Sequence, residues 1–510
     1  LMREGGRTQP FNHTMRYPDA YVPRQLTFEI GGRMNYAGQE TEALDEASVM
    51  AAIEACSAAQ VEAIGVCLLW SIANPDHEAQ VGALLAAHLP GVPFSLSHQL
   101  NPTLREYRRA SSTCIDASLK PLMADYLGSL AGRLSDAGYR GEVYVASSQG
   151  GMMQAADLAQ APIYVLNSGP SMAPVSGRYY GAREDASRPV IVADTGGTTY
   201  DVSLVRDGLI PMTREMWVGE PYLGHMTGFP SVDVKSVGAG GGSIARVDSG
   251  GILHVGPDSA GAVPGPACYS HGGKNPTLTD ACVVLGYLDP DYFLGGTMAI
   301  DPQRAADAIQ HTVAAPLGIS LEEAAWAIAM LATENMAQAI IDITVNQGID
   351  PAQAVLIGGG GAAGLNSTFI SKRLNCAQLV IPEVGAALSA AGALMTDLSA
   401  EFSLTRFFTT SAFDMDAANT ALDTLRAQCD AFRARSGDRV IDYSVLLKVE
   451  ARYPRQGWDI ELPLPVQRFD STADIEALKQ AFHETHDRIF AVRDDASEIE
   501  VVSWTAVAKC

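Results

Sequence analysis

The sequence predicts an α/β fold, and three observations carry that expectation. Short apolar runs alternate with stretches of helical spacing up to Ser147, the pattern of layered strands and helices with mostly parallel strands. One such run, Val190-Ile191-Val192-Ala193, leads directly into Asp194-Thr195-Gly196-Gly197-Thr198-Thr199-Tyr200-Asp201. Another, Ala354–Ile357, ends in four consecutive glycines, Gly358–Gly361. With 510 residues the chain has room for roughly three domains, each able to bury a core of its own.

The elements follow in order from periodicity. Leu1 to Glu40 is polar and dotted with proline, and the chain starts without methionine at position 1, so an upstream segment is expected to be missing. Apolar residues 51, 52, 53 and 55 sit on one helical face, and Val61–Trp70 reads as a buried strand. Asn74-Pro75 breaks the chain before a helix over Glu78–His88. A strand at Phe94–Ser97, a long helix from about Arg105 to Ala137 and a strand at Glu142–Ser147 complete this block. After Pro189 come strands Val190–Ala193 and Val202–Val205, with Arg206-Asp207-Gly208 as an Asp-Gly hairpin turn. Glycine is dense from Val237 to Gly273, which predicts compact backbone with few long helices. A long helix at Leu321–Val345 precedes the strand Ala354–Ile357, the strand Leu379–Ile381 and a small-residue helix at Ala386–Leu394. A last block has helices at Asp414–Ser436 and Ile475–Ile489 and strands at Val445–Tyr453, Asp459–Leu462 and Ile499–Val507.

Composition narrows the function classes. Lysine plus arginine total 35 against 58 aspartate plus glutamate, a formal net charge of −23. Such a balance repels phosphate backbones and anionic lipid, so neither nucleic acid nor a membrane surface is expected as partner. A local phosphate site survives this field, because backbone amides bind anions at short range. The eight cysteines form no Cys-x-x-Cys and lie mostly among apolar residues, which fits buried thiols in a reducing, cytoplasmic setting. No apolar run reaches the ~18 residues that cross a bilayer, and no signal peptide is legible. His483 and His486 are three apart beside Arg488 and read as a helix surface.

The chemistry concentrates in the octapeptide Asp194–Asp201. Gly196 and Gly197 allow positive φ and close approach, so successive amides can face oxygen atoms. Thr198 and Thr199 add hydroxyls. Asp194, at a strand end, can hold hydrated magnesium, which takes few carboxylates and keeps its waters. An ordinary hairpin turn with capping threonines is the bland alternative. The second cluster, Gly358-Gly359-Gly360-Gly361, comes off a strand towards a helix, where a turn can pass beside an adenosine. It lacks the order of a P-loop. Gly238–Ser243 reads equally as an anion nest or as a crossing where only glycine fits. His98 and His225 are structural or metal-ligating, Asp280 reads as a helix N-cap, and Cys268 has no histidine at a recognisable spacing.

Several stretches together resemble the hydantoinase A/5-oxoprolinase family, which includes acetone and acetophenone carboxylase subunits and caprolactamase. They are Arg105–Arg109, Leu119–Met123, Ser148–Gly151, Ser168–Pro170, Asp194–Asp201, Gly238–Ala245, Val255–Gly261, Pro264–Tyr269, Thr277–Ala281 and Gly358–Gly361. They keep the family's order and span nearly the whole chain. Two positions depart, Asp116 and Gln149, each where the family usually has asparagine. Residues 1–100 contain nothing like the family's own first phosphate loop, so a fragment lacking the start of lobe one is expected.

The resemblance implies an actin-like ATPase (ribonuclease H-like) two-lobe fold with a C-terminal α/β domain. Its divisions would be residues 1–170, the remainder of the first lobe; 171–400, the second lobe; and 401–510. It implies an ATP- and Mg2+-dependent hydrolase or carboxylase subunit that phosphorylates an amide, imide or ketone oxygen of a small cyclic amide or ketone. A hydantoinase B-like second subunit would be its partner. In that assignment Asp194 and Asp201 are the catalytic pair: Asp194 holds the metal-bound water, and Asp201 orients the loop rather than acting as a base. Thr195, Gly196, Gly197, Thr198 and Thr199 cradle phosphates, joined by Gly240, Gly241, Gly242 and Ser243. Gly358, Gly359, Gly360 and Gly361 line the adenosine. Arg105, Glu106 and Arg109 contact substrate or the missing phosphate loop, or else form an ion-paired helix start. The alternative function is a nucleotide-binding regulatory or scaffold module without turnover.

Overall fold

The computed structural model describes residues 11–12, 14, 19–437 and 440–510, so the first ten residues of the expected 1–170 division lie outside it. The first unit runs α1 (Glu46–Ala58), β1 (Ile64–Val66), α2 (Asp76–His88) and β2 (Phe94–Leu96). β1 and β2 pair in parallel over a core of Val49, Ile53, Val66, Val81, Leu85 and Leu96. The strand expected through Trp70 stops at Val66. The Leu68 amide donates to Glu78 Oε1 and its carbonyl accepts from Arg109, so neither group is free for a ladder. α3 (Glu106–Asp136) follows with Pro121 in its interior.

α4 (Ser168–Asp185) is an element the sequence reading lacks, because Pro170, Pro174, Gly177 and Gly181 look like a loop. It forms because its small residues bury one face, Ala173, Ser176 and Gly177 among them. The 170/171 division falls in its first turn, and the 400/401 division falls in a strand described below.

The central sheet takes β3 (Val190–Thr195), β4 (Tyr200–Val205) and β5 (Val234–Val237), then β6 (Val355–Gly359) and β7 (Gln378–Val380), in the spatial order β5-β4-β3-β6-β7. β4 is antiparallel to both β3 and β5, and β6 and β7 join in parallel. Four residues separate β3 from β4, so they can only form a hairpin, whereas β6 arrives by a helical crossover. This order is that of a ribonuclease H-like lobe. At the end of β4, Asp207 and Gly208 take φ of 52° and 72°, as the expected Asp-Gly turn requires. Helices α5 (Leu321–Asn346), α6 (Ala363–Leu374) and α7 (Leu388–Met395) complete the layers.

Strand alternation divides the side chains between two cores. Ile191, Ala193, Tyr200, Val202 and Leu356 meet Ile328, Met336 and Ile340 of α5. Val190, Val192, Val205, Val355 and Ile357 meet Ala173 of α4 and Leu388 of α7. By length and composition α5 qualifies as a bilayer-crossing segment, contrary to the sequence expectation. Its buried face is packed against this sheet, so it serves as a core helix.

The C-terminal part is β8 (Ser399–Thr409), α8 (Met415–Arg435), β9 (Ser444–Arg452), β10 (Ile460–Pro463), α9 (Thr472–Phe490) and β11 (Glu500–Lys509). Its sheet, β8-β11-β9-β10, is antiparallel throughout. Leu422, Leu425, Leu478, Phe482 and Trp504 fill its core. His483 and His486 are buried and not on a helix surface. Tyr453 Oη lies 2.6 Å from His483 Nδ1, and Gln456 Nε2 lies 3.0 Å from His486 Nε2. Burial holds His483 below its ordinary pKa.

Candidate nucleotide site

One rung of the central sheet carries the site. Asp194 stands opposite Asp201 across the β3–β4 hairpin, Asp201 opposite Ser236 of β5, and Asp194 beside Gly359 of β6. Asp194 follows Val190 and Val192 on β3, so it lies on the sheet face covered by α4 and α7, and Asp201 shares that face through Val205. Asp194 Oδ2 accepts a 2.9 Å hydrogen bond from Ser389 of α7. Asp201 Oδ2 lies 3.5 Å from Thr199 Oγ1, while its Oδ1 is buried without a hydrogen-bond partner. Burial raises the pKa of Asp194, opposed by Ser389. Burial also raises that of Asp201, opposed by Ser236 and Thr199 and reinforced by the Asp194 charge. Two adjacent, half-buried carboxylates without a countercharge are what a cation would relieve.

Three glycine segments converge on this rung. The Gly196 amide donates to Thr199 O at 2.9 Å and closes the hairpin. Neither Gly196 nor Gly197 takes positive φ, which corrects the sequence expectation. Their use is clearance: Gly197 and Thr198 are exposed, and nothing lies within 4 Å of a Cβ placed on Gly197. Thr195 is buried on the opposite face of β3, with Oγ1 unpartnered.

Gly240, Gly241, Gly242 and Ser243 do not offer an anion nest. The Gly241 and Gly242 amides donate to Gly196 O and Gly197 O at 3.1 and 2.6 Å, and the Gly240 amide donates to Ser243 Oγ at 2.8 Å. A Cβ on Gly240 would lie 2.7 Å from Gly196 O. The segment is the tight crossing of the two readings, and it braces the 196–197 turn from behind.

Gly358 and Gly359 are inside β6 and fully buried, so they cannot line a ligand. The turn is Gly360-Gly361. Gly360 has φ +90°, and a Cβ there would collide with Thr195 O and Asp194 Oδ1. The Ala362 amide donates to Thr195 O at 3.0 Å, tying this turn to the hairpin. Gly360→Ala is therefore expected to abolish function at this site, through positive-φ strain plus displacement of Asp194. Calorimetric titration with ADP and magnesium should show binding lost, with far-ultraviolet circular dichroism unchanged.

The tentative substrate residues separate. Arg109 is fully buried, donating to Ser97 Oγ, Thr103 O and Leu68 O at 3.0, 2.9 and 2.9 Å. It is structural, not a substrate contact. Arg105 and Glu106 line a cavity of about 860 Å3 between the start of α3 and the C-terminal sheet, with Arg214, Glu401, Arg452 and Trp458. None of Asp194–Asp201, Gly240–Ser243 or Gly358–Gly361 lines it.

The remaining residues are structural too. His98 Nδ1 lies 2.7 Å from buried Glu78, and His225 stacks edge-on against Tyr21. No cluster of three metal-ligating side chains occurs among the described residues. Thr277 caps its helix, and Asp280 is the third residue of that capping box. It also accepts from the Ala267 and Cys268 amides. Asp116 is buried and accepts from Ser95 Oγ and the Ile163 amide. Ser389 and Ser236 escaped the sequence reading. Only strand register and helix packing bring them to the two aspartates.

A ribonuclease H-like sheet with an acidic, glycine-roofed site at the carboxyl ends of β3 and β6 defines an α/β protein of the kind that takes ligands at strand ends. The chain belongs to the hydantoinase/oxoprolinase family. The hydantoinase/oxoprolinase family model matches residues 109–402, and that of the hydantoinase/oxoprolinase N-terminal region matches residues 1–89. Caprolactamase subunit alpha of Pseudomonas jessenii is 34% identical over 98% of this chain and 72% of its own length. Acetone carboxylase beta subunit of Xanthobacter autotrophicus is 28% identical over 96% of this chain and 69% of its own. The crystal structure of the ATP-dependent caprolactamase from P. jessenii superposes with a TM-score of 0.86 at 33% identity, covering 100% of this chain and 73% of that one. A nucleotide-free acetone carboxylase structure gives 0.73 at 26% identity, covering 97% and 71%. These relatives are enzymes, and several are subunits of larger assemblies.

Proposed function

We propose that this chain is the nucleotide-handling subunit of an ATP-dependent enzyme that activates the carbonyl oxygen of a cyclic amide, imide or ketone by phosphorylation. The observation that carries the reading is the rung Ser236–Asp201–Asp194–Gly359 with the Gly360 turn directly above Asp194. The similarity to an ATP-dependent caprolactamase and to an acetone carboxylase subunit supports the same reaction class. The partner in this reading is a second large subunit of hydantoinase B type, which completes ring opening or carboxylation.

The residues present fit a hydrated magnesium ion. Asp194 Oδ1 lies under the Gly360 turn, and Asp201 adds a buried oxygen without a partner. Magnesium takes one or two carboxylates and retains water. When bound, it would neutralise charge on the phosphates. Asp194 would hold the hydrated ion, and Asp201 fixes the hairpin through Thr199. Exposed Gly197 and Thr198 present amide and hydroxyl groups to phosphate. Gly360-Gly361 forms the wall beside the nucleotide. Phosphoryl transfer asks the protein mainly for positioning and charge stabilisation, which this arrangement can supply.

The test is ADP release by the purified chain, with magnesium, in the presence of caprolactam, 5-oxoproline, hydantoin or acetophenone, with and without the second subunit. Stimulation by one substrate class supports the reading. Tight ATP binding with no turnover under any combination would favour a regulatory module instead.

A further inference from the structure

Helix α7 reaches the acidic rung with a single polar side chain. Ser389 Oγ donates to Asp194 Oδ2 at 2.9 Å. The other oxygen, Oδ1, is the one beneath the Gly360 turn, near enough to collide with any Cβ placed there. One lone-pair edge of the carboxylate is thus tied off, and the remaining edge faces the glycine roof.

The helix that delivers Ser389 is itself fixed. The Leu388 carbonyl accepts a 2.7 Å hydrogen bond from Ser176 Oγ of α4. The Leu388 side chain is buried with Val192, Val355 and Ile357 under the sheet. Farther along, Thr396, just past α7, donates to Gly150 O at 2.7 Å. Rotation of α7 would break all of these at once, so the Ser389 hydroxyl has little freedom to leave Asp194. Across the rung, Asp201 rests partly on Ser236 and Thr199. Asp194 has the Ser389 hydroxyl as its side-chain support.

We propose that Ser389 is the positioning residue of the metal-binding carboxylate, holding Asp194 in the rotamer that turns Oδ1 towards the cation. The proposal rests on the assignment of Asp194 made above. Removing the hydroxyl frees χ1 and χ2 of Asp194 without touching the nucleotide, so the loss falls on the metal.

The experiment compares Ser389→Ala, Ser389→Thr and Asp194→Asn in the full chain. Manganese binding in the presence of ADP is followed by electron paramagnetic resonance, and magnesium-free ADP binding by calorimetry. Ser389→Ala should weaken manganese binding about tenfold and raise the magnesium concentration for half-maximal ATP turnover by the same factor. Magnesium-free ADP affinity should stay within twofold. Ser389→Thr, which keeps the hydroxyl, should restore the metal affinity. If Ser389→Ala binds manganese like the parent while Asp194→Asn does not, the positioning role is overturned and the Asp194 assignment stands. If neither change alters metal binding, the assignment of Asp194 itself fails. Should Ser389→Ala fold poorly, Ser389→Cys, a weak donor of similar size, takes its place with the same expected loss.

Discussion

Asp194→Asn is expected to reduce magnesium-dependent ATP turnover by about 10²–10³-fold, the scale on which loss of one preorganised charge-stabilising group acts. The variant should remain folded, because Asn preserves the shape and keeps an oxygen for Ser389. It should also be more stable than the parent at neutral pH when metal-free. Asp194 and Asp201 are both pushed above the ordinary carboxylate range, by burial first and, for Asp201, by the neighbouring charge as well. A carboxyl whose folded pKa is raised favours the folded state below its unfolded pKa. That contribution is lost as pH rises through the folded value. At neutral pH the charged pair therefore opposes folding, and converting one member to an amide removes the conflict. Urea unfolding of the metal-free proteins at acidic and neutral pH checks this. The parent should lose stability relative to Asp194→Asn as pH rises from the ordinary carboxylate range. Undiminished turnover in Asp194→Asn would remove the centre of the proposed mechanism.

Arg109→Met should have the largest effect on stability, about 3–5 kcal/mol, because each buried acceptor left without its donor costs about 1–3 kcal/mol. Its guanidinium is fully enclosed, and it satisfies Leu68 O, Thr103 O and Ser97 Oγ together. The same Ser97 donates to Glu78 at 2.6 Å. Burial works against the charged form of Glu78, but His98, Ser97 and the amides of Leu68 and His98 outweigh it and hold its pKa down. Methionine fills the space of the aliphatic stem and leaves Leu68 O, Thr103 O and Ser97 Oγ without their donor. Urea unfolding monitored by tryptophan fluorescence should show an early transition of the first unit. A substrate contact, by contrast, would change the Michaelis constant and leave that transition in place.

Arg109 also shows where the sequence stopped being informative. An Arg-Glu-Tyr-Arg-Arg run at a helix start contains three candidates of equal standing. Only the packing of α3 against β1 and β2 sends Arg109 inward and leaves Arg105 and Glu106 on a cavity wall. His483 and His486 are a similar case. Their spacing was compatible with a solvent face, and Tyr453 and Gln456, thirty residues upstream, decided otherwise. α4 stayed hidden because proline and glycine depress local helix propensity, while burial of its small residues against the sheet reverses the balance.

What residue order alone determined is local and covalent in range. The β3–β4 hairpin follows from four intervening residues, the acidic octapeptide sits at its tip, and the family resemblance rests on motifs read in sequence. The tertiary structure decided the place of each glycine: Gly360 roofs Asp194, Gly240–Gly242 brace the turn from behind, and Gly358 and Gly359 disappear into a strand. It also brought Ser236 and Ser389, from two distant segments, to the Asp194–Asp201 hairpin. Periodicity reports which face of an element is buried, but strand register and helix docking are set by packing between distant segments, and no local pattern encodes them.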